Sequence, residues 1–450
     1  MTIDRDLLRA RLGNELARFA ADHPRSAALA EAARAHLLAG VPMHWMVRWP
    51  GGFPLFVERA RGARFVDVDG REYVDFCLGD TGAMTGHGPA PALAAIRAQL
   101  ERGITSMLPT ADAVWVAAEL ARRFGLPSWQ FALTATDANR FAIRLARRLT
   151  GRPRILVFNW CYHGTVDETF AVLDGGRVVA RPGNLGPPVD PAVTTRVVEF
   201  NDIEALEREL AHGDVACVLA EPALTNIGIV LPEPGFHAAL RAATRSTGTL
   251  LILDETHTIC AGPGGATGAW GLEPDLLTLG KPIGSGIPAA VYGFSAEVAR
   301  RLEALIGRDE SDTGGVGGTL AGNALALAAV RATLGEVLTE AAYARMLPLA
   351  ERFAAGVEAG IAELGLPWVV KRLGTRVEYW FRPQPPKNGG EAAAAVDAEL
   401  DRYLHLAALN RGILMTPFHN MALMSPETSE ADVDRHTQVF RESVEAVSRR

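Results

Sequence analysis

Two apolar runs in this chain end on opposite charges. Leu250-Leu251-Ile252-Leu253 stops at Asp254-Glu255, and Leu276-Leu277-Thr278-Leu279 stops at Gly280-Lys281. Continuous apolar runs are typical of strands buried on both faces, and α/β sheets place their chemistry just beyond strand ends. An acid and an amine at two such ends suggest one pocket lined by both. Each has a plainer reading, a capped strand end for Asp254 and a surface lysine for Lys281. Gly280-Lys281 is not a nucleotide-type phosphate loop, because Pro282 stands at the Ser/Thr position and no glycine lies five residues earlier. A metal held by Asp254, His257 and Cys260 lacks a second ligand cluster, so no metal is expected.

A carboxylate and a lysine facing one pocket also suit pyridoxal phosphate (PLP). The amine forms a Schiff base, and the carboxylate keeps the pyridine nitrogen protonated so that the ring takes up electrons. The phosphate needs amide donors, and Thr134-Ala135-Thr136 supplies them between a strand-like run at 131–133 and a helix starting near Asp137. A simple N-cap explains the same residues. The glycine-rich 314–319 segment, ending at Thr319, is a second phosphate candidate. Trp160-Cys161-Tyr162-His163-Gly164 closes the run at 155–158, where an aromatic could stack on a flat ring or pack in the core. Trp45, Arg48 and Trp49 crowd the loop at 44–52, which reads either as a packed corner or as a pocket wall anchoring a carboxylate.

The elements around these residues are legible from periodicity. Ile3, Leu7, Leu8, Leu12, Leu16 and Phe19 recur at helical spacing, and a second, alanine-rich helix spans 26–38. Residues 55–76 alternate as a small antiparallel sheet with its turn at Asp69-Gly70. Strand-like runs follow at 131–133, 155–158, 197–200, 215–220, 250–253, 276–279 and 289–294, with helices such as 137–149 and 203–211 between them. This alternation predicts an α/β fold with a mostly parallel seven-stranded sheet covered by helices. The two chain ends form a smaller α+β domain. The expected boundaries are 1–84, 85–323 and 324–450, and the turn-rich 382–390 reads as a surface excursion.

The chain is 450 residues long with 22% charged residues and a net charge of −7, which argues against nucleic acid or an anionic membrane as partner. The four cysteines, Cys77, Cys161, Cys217 and Cys260, show no paired spacing and sit in apolar contexts. The charged N-terminus is no secretory signal, and no apolar run reaches the ~20 residues of a membrane span. A soluble cytoplasmic protein is expected.

Together these pieces resemble the class III PLP-dependent aminotransferases, enzymes of fold type I. They are most similar to the branch of glutamate-1-semialdehyde aminomutase and β-amino-acid aminotransferase. The resemblance runs from about Pro54 onward. It rests on the 63–76 segment, Cys161-Tyr162-His163-Gly164, Glu221-Pro222 with Asn226, Asp254-Glu255, the run ending at Lys281, and the 318–323 segment. It implies that Lys281 carries PLP and Asp254 pairs with the ring nitrogen. Tyr162 and Thr256 would lie on the two ring faces, with Asn226 near the ring hydroxyl and His163 within the cofactor site. Ala135 and Thr136 would bind the phosphate, and Thr319 would reach the phosphate of a neighbouring subunit in a homodimer. Arg48, Trp45, Trp49 and Asn420 are the implied substrate contacts.

The departures from the pattern are Ala135 in place of a glycine, which implies local strain, Thr256 in place of valine or isoleucine, and an unusual His257. Phe418-His419-Asn420-Met421 stands where aminomutases carry an acidic stretch. That favours a transaminase, which moves an amino group between an amino acid or amine and a keto acid. An aminomutase or racemase acting on one amino-acid substrate is the alternative.

Overall fold

The computed structural model describes residues 2–306, 313–417 and 419–449. The chain divides into two compact units: Met1–Pro89, Ala341–Pro385 and Ala395–Arg450 form one, and Ala90–Glu340 with Pro386–Ala394 forms the other.

The larger unit is built on a seven-stranded sheet. In chain order its strands are β1 (Ser128–Ala132), β2 (Arg154–Phe158), β3 (Thr195–Val198), β4 (Val215–Ala220), β5 (Leu250–Asp254), β6 (Leu276–Leu279) and β7 (Ala290–Phe294). Across the sheet they run β1-β7-β6-β5-β4-β2-β3. All pairs are parallel except those made by β7, which is antiparallel to both β6 and β1. β4, β5 and β6 are buried at every position, as their unbroken apolar runs require of strands covered on both faces. The predicted α/β architecture is therefore the one observed.

The topology fixes the site. β5 is central and pairs with β6 so that Asp254 faces Thr278 across the ladder. Lys281 follows three residues later, at the same end of the sheet. β1 runs parallel to β6 through β7, so its exit reaches that end too. There it enters α1 (Ala135–Thr150), whose Thr134 side chain caps the Asp137 amide and whose C-terminus closes on Gly151 at φ 70°. Ala138, Asn139, Phe141, Ala142, Ile143 and Ala146 form the buried face of α1, at helical spacing.

In the turn-rich 382–390 segment, Pro383, Gln384 and Lys387 are exposed as expected, whereas Pro386 and Gly389 are buried. Lys387 O accepts from Asn201 Nδ2 at 2.8 Å, and Gly390 N donates to Glu199 Oε2 at 3.2 Å. A Cβ at Gly389 would overlap the Asn159 carbonyl. Gly389 packs on the Asn159 backbone and Gly390 against the Glu199 carboxylate, so neither has room for a side chain. They begin a short helix, Gly389–Ala394.

In the smaller unit, Val57–Arg61, Arg64–Asp67 and Glu72–Asp75 form the expected antiparallel sheet, with Gly70 at φ 85° in the turn and Ile413–Leu414 added as a parallel edge. A second sheet joins Val369–Leu373, Arg376–Trp380 and Met421–Leu423. The first helix runs Arg5–Asp22 from the Asp4 cap. The second spans Pro24–Ala33 and is shorter than its alanine content suggests. Among the described residues, no helix is long and apolar enough to cross a membrane.

Candidate active site

Asp254 ends β5 and is buried. His163 Nδ1 lies 2.9 Å from its Oδ2, Asn139 Nδ2 donates to the same oxygen at 2.8 Å, and Thr256 N donates to Oδ1 at 3.0 Å. Burial alone would raise this carboxyl, but the bonds from His163 and Asn139 and the charge of His163 outweigh it and hold Asp254 at about 2. Burial likewise opposes charge on His163, yet Cys161 and Asp254 push it up to about 10. The pair is therefore an ionised carboxylate backed by an imidazolium. His163, expected within the cofactor site, contacts Asp254 from inside the protein.

Sequence reasoning missed Asn139 and Thr278. Thr278 Oγ1 donates to Asn139 Oδ1 at 2.6 Å, which aims the Asn139 amide at Asp254 and, at 3.2 Å, at His163 O. The signal available was a polar residue inside each of two apolar stretches, the buried face of α1 and the run of β6.

The two acids at the end of β5 have different tasks. Glu255 is fully buried and accepts from Thr258 Oγ1 at 2.5 Å, Ala266 N at 3.1 Å and Thr267 N at 2.5 Å. Burial pushes its carboxyl up despite these bonds. It ties the turn after β5 to the first amides of α2 (Gly265–Trp270). A Cβ at Gly265, whose φ is 61°, would overlap the Glu255 carboxylate.

Lys281 has φ 50°, a left-handed backbone unusual for a side-chain-bearing residue. Such strain gathers where the surrounding structure dictates a side chain's position. Gly280 presses on the start of α1, where an added Cβ would lie 3.0 Å from Ala135 Cβ and 3.1 Å from Ala135 N. The lysine and the anion-attracting end of α1 are thus held within one residue of contact. Lys281 Nζ lies 2.8 Å from Nε2 of the buried His257.

Ala135 is the first residue of α1 and is absent from the left-handed residues, so the strain expected of an alanine there does not arise. Thr136 Oγ1 accepts from Thr165 N at 3.0 Å, and Gly164, at φ 77°, fits against it only because it lacks a Cβ. Tyr162 is half-buried, 6.3 Å edge-on from Phe170 between ring centroids. Asn226 Nδ2 donates to Trp160 O at 3.4 Å. Thr256 Oγ1 is buried with no hydrogen-bond partner among the described residues. Thr319 is exposed in a turn after Gly317 and Gly318.

The other implied contacts lie in the smaller unit. Trp45 and Arg48 belong to the one-turn helix His44–Arg48, with Trp49 at its end. Arg48 is exposed while both tryptophans are half-buried. Their loop is anchored where Arg402 Nε bonds Pro50 O at 3.2 Å and Gly51 packs on the Phe19 ring. Asn420 is buried and donates to Asp401 Oδ1 at 2.8 Å. Phe418 lies outside the described residues.

The donor set fits PLP. It offers an ionised carboxylate, an amine, the free first amides of a sixteen-residue helix for a dianion, and an orphaned buried hydroxyl beside the carboxylate. A sequence profile described as "Aminotransferase class-III" matches residues 46–441.

The chain belongs to the class-III aminotransferase family. The glutamate-1-semialdehyde 2,1-aminomutase of Sorangium cellulosum strain So ce56 is 37% identical over 432 residues, covering 94% of this chain and 97% of that one. A crystal structure of a glutamate-1-semialdehyde-aminomutase from Pseudomonas aeruginosa PAO1 superposes with TM-score 0.97 at 52% identity, covering 100% of both chains. A lysine-to-alanine variant of that enzyme was solved in complex with PMP. An omega-transaminase from Sphaerobacter thermophilus matches with TM-score 0.85 at 31% identity, over 94% of this chain and 97% of that one. As a class-III aminotransferase, the protein is an enzyme whose cofactor is pyridoxal phosphate.

These relatives overturn one expectation. The sequence favoured transamination between an amino donor and a keto acid, but the strongly similar chains are named aminomutases. The two reactions share the lysine, the carboxylate and the anion cradle, so the motifs cannot separate them.

Proposed function

We propose that this class-III enzyme is a PLP-dependent aminomutase. It relocates the amino group between adjacent carbons of one substrate, glutamate-1-semialdehyde or a close analogue. The observation that carries this reading is the likeness to the Pseudomonas aminomutase over the whole of both chains at 52% identity. The named substrate bears one carboxylate, one amine and one aldehyde, and no second substrate is required.

When bound, PLP supplies an electrophilic carbonyl that captures amines and a ring that takes up electrons from the neighbouring carbon. In our reading Asp254, kept ionised by His163 and Asn139, holds the proton on the ring nitrogen. Lys281 would tether the cofactor and, with its amine free, would take up and return the proton at the substrate carbon that bears the amino group. Ala135 and Thr136 bind the phosphate through the start of α1. Tyr162 and Thr256 cover the two ring faces, and Asn226 attends the ring hydroxyl. Arg48 is our candidate for the substrate carboxylate, with Trp45 and Trp49 beside it. Asn420, whose amide donates to Asp401 Oδ1, is a further candidate for the substrate side.

We also propose a homodimer in which Thr319 reaches the neighbouring copy's phosphate. The exposed Ile104, Met107, Leu108 and Leu320 support this. Ala324 N bonds Ile104 O at 3.0 Å, so these apolar residues sit on adjoining segments. Four buried free thiols accord with a cytoplasmic setting.

The test is to give the enzyme glutamate-1-semialdehyde with and without pyruvate or 2-oxoglutarate. An aminomutase converts it equally in both. If turnover appears only with a keto acid, the proposal fails.

A further inference from the structure

His257 follows the Asp254-Glu255 pair by two residues, and neither the family pattern nor the proposed chemistry gives it a task. The turn that carries it is rigid. Glu255 N bonds Thr278 O at 2.8 Å, Ile259 N bonds Glu255 O at 2.9 Å, and Thr258 is tied to the Glu255 carboxylate. The residue it meets is equally fixed, since Lys281 holds a left-handed backbone between Gly280, pressed on α1, and Pro282. Two side chains so constrained place His257 Nε2 at 2.8 Å from Lys281 Nζ. At that distance the two nitrogens share one hydrogen atom, so the imidazole is aimed at the amine's proton.

We propose that His257 is a positioning residue for Lys281: its neutral imidazole, with the proton on Nδ1, accepts a hydrogen bond from Nζ and holds the amine ready to capture the cofactor aldehyde. The proposal rests on Lys281 being the cofactor-bearing lysine, and not on the choice between aminomutase and transaminase. The other titratable groups on the segments framing His257 are engaged or thiol. Asp254 is held by His163, Asn139 and Thr256, Glu255 by the turn and α2, and Cys260 is a buried thiol. Lys281 is the cationic group that His257 Nε2 meets, at 2.8 Å. An ammonium beside it disfavours imidazolium, and removing the ammonium makes imidazolium easier to form.

Two measurements on the cofactor-free protein test this. The first follows the His257 ring by NMR across pH in the wild type and in Lys281→Met. The imidazole titrates about one unit or more higher in the variant. The second follows the rate at which added PLP is captured. His257→Ala slows capture about tenfold, and His257→Gln, whose amide oxygen can accept from Nζ without titrating, restores most of the rate. A His257 titration unmoved by Lys281→Met overturns the proposal, as does wild-type capture by His257→Ala. A failed aminomutase assay alongside both expected results sinks the function proposed above and leaves this pairing standing.

Discussion

Asp254 Oδ2 lies 2.9 Å from His163 Nδ1, with both side chains buried at the centre of the larger unit. Removing one member of such a pair leaves a buried charge without its partner, which costs about 3–5 kcal/mol. His163→Gln is therefore expected to weaken PLP binding at least tenfold and to lower the melting temperature, measured by cofactor titration and calorimetry. Unchanged affinity would show that Asp254 needs no support from behind.

The same pair sets a pH signature. Asp254, held at about 2, gives stability that is complete above its ordinary 3.8 and is lost as pH falls toward 2. His163, pushed up to about 10, gives stability that is complete below 6.5 and is lost as pH rises toward 10. The stability gap between the wild type and His163→Gln, without cofactor, should be widest between roughly pH 4 and 6.5 and narrow above. A gap that grows from pH 7 to 9 would contradict the ionised pair.

Glu255 predicts a structural and not a chemical phenotype. Glu255→Ala strands the buried amides of Ala266 and Thr267, each costing about 1–3 kcal/mol. The expected result is a marked loss of stability in denaturant melts. A variant with wild-type stability would mean that the turn has other anchors.

Gly280→Ala puts a methyl group 3.0 Å from Ala135 Cβ, closer than side chains normally approach. Lys281 and the start of α1 must then separate by a few tenths of an ångström. Phosphate-dependent affinity should fall, with PLP losing more binding than pyridoxal in a direct titration of the cofactor-free protein. Equal losses for the two would argue that the cradle lies elsewhere.

Asp401 offers a separate check within the smaller unit. Burial pushes its carboxyl up to about 7 despite the Asn420 bond. A raised carboxyl binds its proton more tightly when folded, so its ionisation costs stability as pH climbs from about 4 to 7 and the cost levels off above. Asp401→Asn should remove a pH-dependent loss of up to about 4 kcal/mol across that window. Parallel stability curves for variant and wild type would count against a buried, protonated Asp401.

β4, β5 and β6 are legible in the sequence because a strand covered on both faces must be apolar, and β5 ends at Asp254 while β6 stops just before Gly280-Lys281. The helix start at Thr134 is legible for the same local reason. What is not legible depends on distant contacts. Asn139 and Thr278 lie 139 positions apart and acquire meaning only when α1 lies across β5 and β6. Gly389 and Gly390 look like loop residues until Asn159 and Glu199 are seen against them. His257 stands out as unusual in the sequence, but only folding shows that it faces Lys281. Transaminase and aminomutase share the residues that motifs report, so the proposed choice between them rests on the relatives' names.

In the proposed reaction one substrate suffices. The most direct measurement is conversion of glutamate-1-semialdehyde by the PLP-loaded enzyme, freed of amino donors and keto acids, followed by mass spectrometry and NMR. An aminomutase gives multiple turnovers to the isomer with the amino group on carbon 1 and the carbonyl on carbon 2. Conversion that stops at one equivalent per site, and resumes only when a keto acid is added, would contradict the proposal.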